Sequence, residues 1–78
     1  MVEGAFDDVA NVARSLALEG TDDDSAAYML RSVAGDDPKV LQLAQGMLMP
    51  LATAQPPAPG APDALRMVAA ARRELGAT

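Results

Sequence analysis

The 78-residue chain has no histidine, no cysteine and no tryptophan. Without histidine it lacks the commonest general base near neutral pH and the commonest transition-metal ligand. Without cysteine it has no disulfide, no thiolate nucleophile and no zinc-binding set. Aromatic residues stop at Phe6 and Tyr28. The six glycines are scattered at segment ends and in a proline-rich stretch, so none forms a phosphate-cradling loop. No apolar run approaches the ~20 residues that span a bilayer. The stretch from Met1 to Asp8 is acidic where a secretory signal is basic. Catalysis would fall to carboxylates alone, and a domain this small rarely builds the cleft they need. The expectation is a cytoplasmic protein that is no enzyme, holds no cofactor or metal, and does not enter a membrane.

What is present is alanine, leucine and acid. Half the residues are hydrophobic, yet 17 of these are alanines, which bury little area. Net charge is −5, unevenly placed. Residues 1–37 carry nine acids against Arg14 and Arg31, and residues 38–78 carry two acids against Lys39, Arg66, Arg72 and Arg73. An acidic front half disfavours non-specific binding to nucleic acid or anionic membrane and suits a basic partner or simple solubility. The bias to Ala, Asp, Gly, Pro and Arg resembles that of proteins from GC-rich bacteria.

Helical periodicity divides the chain into four segments, and no strand-like alternation is found. Phe6, Val9, Ala13 and Leu16 share one face of the first, which Gly20 closes. Thr21 reads as the N-cap of the second, with Asp22, Asp23 and Asp24 in its first turn; Ala26, Met29, Leu30 and Val33 form its apolar face and Gly35 ends it. Asp37 and Pro38 open the third as N-cap and first helical residue. Its stripe of Val40, Leu43, Ala44, Met47, Leu48 and Leu51 makes it the central helix, with Leu43, Ala44, Met47 and Leu48 expected in the core. Pro50 crowds the carbonyl of Gly46 and predicts an end or a kink near Leu48. Residues 52–61 read as an extended polyproline II linker. The fourth segment, about 62–78, is amphipathic through Leu65, Val68, Ala69 and Leu75. The organisation expected is all-α: a three-helix unit over 1–51, the linker, and a mobile C-terminal helix. If that helix docks at home, Asp7, Asp8 and Glu19 are the expected partners of Arg66, Arg72 and Arg73.

Candidate sites each compete with a plainer reading. Consecutive helical residues point about 100° apart, so Asp22–Asp24 are first-turn charge and capping before they are a metal site. Asp24-Ser25 resembles the Asp-Ser at the start of the second helix of acyl carrier proteins, where the serine carries phosphopantetheine. Here Ala26 replaces the leucine that follows, and the long preceding loop is missing. Residues 25–45, two helices joined at Gly35, invite a helix-turn-helix reading, but Asp36 and Asp37 would aim carboxylates at phosphates. The PxxP spacing of Pro56 and Pro59, or of Pro59 and Pro62, has no flanking cation and reads as a spacer.

These readings converge on a non-catalytic protein that acts through protein–protein contact, with another protein or a second copy of itself, as an accessory, adaptor or inhibitor. The alternative is a small helix-turn-helix-like transcriptional regulator. A third is an acidic protein that occupies a partner's nucleic-acid-binding surface. The expected partner-contacting residues are Met49, Leu65, Met67, Val68, Arg72 and Leu75.

Overall fold

The structure, a computed structural model, describes residues 5–77, with side chains from 6 to 76. Four helices follow one another: α1 (Ala5–Glu19), α2 (Asp23–Ala34), α3 (Pro38–Thr53) and α4 (Ala61–Ala77). The described residues contain no strand.

Glycine sets the first two corners. After α1 the Gly20 N–H donates to the Ala17 carbonyl and the Thr21 N–H to that of Leu16. After α2 the same pair of bonds recurs, Gly35 to Ser32 and Asp36 to Arg31. This double closure satisfies carbonyls that a helix end leaves open, and it puts Gly35 at φ 65°, a conformation that costs glycine least. Asp36 follows at φ 58°, which aspartate tolerates better than most residues. The N-cap of α2 is Asp22 rather than Thr21: its carboxylate accepts from the Ser25 N–H at 3.1 Å. Asp37 caps α3 as expected, accepting from the Lys39 N–H at 2.9 Å.

Helix α3 runs unbroken through Pro50 to Thr53. The proline cannot bond the Gly46 carbonyl, but both residues are exposed, so that carbonyl is left to water. Of the two expectations at Leu48, an end or a kink, the end is corrected: the helix continues to Thr53. The connection to α4 shrinks to residues 54–60, and it is not a free extended spacer. The Ala58 N–H reaches back to the Leu51 carbonyl at 3.0 Å, and Ala64 bonds Gly60 at 2.8 Å to start α4.

One apolar core draws on all four helices: Val9 and Ala13, Ala26 and Leu30, Leu41, Ala44 and Leu48, and Met67, Val68 and Ala71. Alanine fills more than half of the buried positions, and no polar side chain is buried among the described residues. Small side chains let the helices approach closely, so the few large ones carry most of the apolar burial. Leu43 and Met47 are corrections to the expected core, at 56% and 37% exposure. They lie on one flank of the α3 stripe, which is wider than the surrounding helices cover.

Helix α4 is docked against the other three. Arg66 bonds Asp23 at 3.0 Å and Arg31 bonds Glu74 at 3.0 Å. Both pairs span 43 positions in sequence. An equal offset at both ends means that α2 and α4 run parallel and in step. The expected partners on α1, Asp7, Asp8 and Glu19, are thus replaced by Asp23 on α2 and by Asp63, which Arg66 meets at 2.8 Å.

Candidate functional site

The surface with the clearest shape lies between α3 and α4. These helices are antiparallel neighbours: Arg72 of α4 donates to the Gln45 amide oxygen of α3, and Pro38 at the start of α3 sits near Leu75 and Gly76 at the end of α4. An open groove of about 300 Å³ is lined by Gln45, Ala69, Arg72 and Arg73. It adjoins a second hollow of about 460 Å³ lined by Asp36, Pro38, Arg72, Leu75 and Gly76. Arg72 belongs to both. Met49 stands one helical turn beyond Gln45 on the same flank of α3, and Leu65 two turns before Arg72 on the same flank of α4.

Four basic side chains have no ion pair among the described residues, and two of them, Arg72 and Arg73, stand side by side in this groove; Arg14 and Lys39 are the others. Arg31 is paired with Asp36 and Glu74, and Arg66 with Asp23 and Asp63. The hydrogen bonds that Arg66 donates to Asp23 and then to Asp63 raise its pKa. Among the described residues no carboxylate stands within ion-pair distance of Arg72 or Arg73. Two adjacent cations thus line a partly apolar groove on a chain whose net charge is −5.

Of the residues singled out from the sequence, Arg72 is exposed in both hollows and the half-buried Leu75 lines the second; Met49 is exposed and Leu65 half-buried, and neither lines a hollow. Met67 and Val68 are corrections. They are 2% and 0% exposed, because α4 is covered by α1, α2 and α3 rather than by a partner. Gln45, Ala69 and Arg73 were missed. Arg73 entered the sequence reading as an expected partner of the α1 carboxylates, and nothing local to Gln45 or Ala69 indicates which helix lies opposite.

The other candidates disperse. Asp22 caps α2, and the Ser25 backbone and side-chain hydrogen bonds hold its carboxyl below the usual range. Asp23 turns to Arg66, while Asp24 is exposed. Among the described residues no three His, Cys, Asp or Glu side chains converge on a metal-sized point. Ser25 is an exposed first-turn residue whose N–H is held by Asp22. No described helix is long and apolar enough to cross a membrane. No protein-family model, curated protein or solved structure matches the chain.

Proposed function

We propose that this chain is a small non-catalytic binding module that engages a partner protein through the α3–α4 groove. The observation that carries the reading is the pair Arg72 and Arg73, without carboxylate partners among the described residues, lining an open groove with Gln45 and Ala69. Long cations beside apolar surface suit protein interfaces: their stems cover area and their heads select charge. The groove is open and shallow, which fits an elongated partner element better than a small substrate.

The helix-turn-helix-like alternative has less support. Helix α3 would be its recognition helix, and its exposed side offers Leu43, Gly46, Met47 and Pro50 with Lys39 as sole cation. Asp36 and Asp37 stand at its N-terminus, where phosphates would have to approach.

Affinity capture with the parent chain, with Arg72→Glu/Arg73→Glu, and with the α1 surface variant Ser15→Glu tests the reading. Proteins retained by the parent and by Ser15→Glu, and lost by the double variant, support it. Identical sets from all three contradict it.

A further inference from the structure

We propose that the occupant of the α3–α4 groove is an acidic amphipathic helix from a different protein. The inference rests on the docking reading above and adds the chemistry of the partner. Two antiparallel helices leave a straight trough between them, and a third helix laid along it repeats side chains at i, i+3, i+4 and i+7. Ala69 lines the groove, and helical spacing sets Met49 and Leu65 on the same flanks of α3 and α4 farther from Arg72. Arg72 and Arg73 stand farther along, with Gln45 already taking one Arg72 donor. A matching helix therefore carries small or medium apolar residues on one turn and carboxylates on the next.

Charge decides the sign of the partner. Arg66 and Arg31 are already neutralised by two carboxylates each, and Arg14 and Lys39, which have no ion pair among the described residues, each stand without a second cation beside them in sequence. Burying Arg72 or Arg73 under an uncharged or basic helix would leave the cation desolvated without compensation. Carboxylates supply that compensation in charge-assisted, bidentate geometry. Arg72 and Arg73 are the one pair of basic residues adjacent in sequence, so the groove attracts such a helix against the net charge of −5, while Asp36 in the adjoining hollow limits how far it extends.

The probe is a synthetic helical peptide with leucine at i, i+3 and i+7 and glutamate at the flanking positions, compared with the same peptide carrying lysine in place of glutamate. Binding to the full chain is followed by fluorescence anisotropy, and the site by NMR of methionine methyl groups. The expected result is an affinity for the glutamate peptide more than about tenfold above that for the lysine peptide, weakened by salt. The Met49 methyl shifts while those of Met29 and Met47 stay. Arg73→Glu, at an exposed site, leaves the circular dichroism spectrum unchanged and removes the preference for glutamate. If both peptides move Met49 equally, the groove docks proteins but the acidic partner is wrong. If Met29 or Met47 moves instead of Met49, or if neither peptide binds, both the groove and the acidic partner are wrong.

Discussion

Gly60 is seated against Arg14: a Cβ at Gly60 would stand 3.1 Å from the Arg14 carbonyl oxygen, and 3.2 Å from Cγ of Leu18. Backbone φ there is +77°. The turn into α4 is therefore closed onto the C-terminal half of α1, and a side chain is disfavoured twice, by conformation and by contact. Gly60→Ala is expected to cost about 1–3 kcal/mol in urea unfolding. Gly46 provides the opposite case, an exposed helical glycine with open space around it. Gly46→Ala is expected to stabilise by about 0.5–1 kcal/mol. Equal effects from the two substitutions would mean that the turn is not seated on α1.

The exposure difference within α3 predicts a second contrast. Leu48 is fully buried and Leu43 more than half exposed. Leu48→Ala is expected to lose about 2–5 kcal/mol, enough to unfold much of a domain this small. Leu43→Ala is expected to stay within about 0.5 kcal/mol of the parent. Thermal melts of the two variants check it, and a large loss from Leu43→Ala would show that this flank of α3 is covered.

Truncation after Ala54 removes Met67, Val68 and Ala71 from the shared core. The remaining three helices are left with an open apolar face. Circular dichroism of the truncated chain is expected to show most helicity lost, not only that of α4. Retention of three folded helices would mean that residues 1–51 are an independent unit.

Acid is expected to weaken α2 first. The Asp22 carboxyl is held below its ordinary pKa by the Ser25 hydrogen bonds. A depressed folded-state value means that the carboxylate binds protons less readily folded than unfolded. Its contribution is complete above about pH 4 and is lost as pH falls through the folded value. Asp22→Asn keeps a capping oxygen without the titration, so its stability should fall less steeply below about pH 4 than that of the parent. Parallel slopes would show that other carboxylates set the acid response.

The four helices were legible because each has its own local signals: Gly20 and Gly35 at the corners, Asp37-Pro38 at the start of α3, and apolar positions at helical spacing. The boundary at Pro50 was not, since whether a proline stops a helix depends on whether the lost bond can turn to water. The breadth of the α3 stripe showed that the helix is central. It did not show which edge stays open, and Leu43 and Met47 fell on the open side. Around the candidate site, Leu65 and Leu75 stood out as members of the α4 apolar face, Met49 as an exposed-side methionine of α3, and Arg72 as terminal charge. Met67 and Val68 were misplaced because the docking of α4 is a long-range event. Asp23 with Arg66, and Gln45 with Arg72, become neighbours only when α4 returns to the bundle.

The claim that the α3–α4 groove is the docking surface is tested most directly by position-specific photo-crosslinking in cells that produce the protein. A photoreactive residue replaces Met49, one helical turn beyond Gln45, in one variant and the exposed Ser15 of α1 in another. Discrete adducts with another protein from position 49, reduced by Arg73→Glu and absent from position 15, are the predicted result. Adducts from position 15 and none from position 49 would contradict the account.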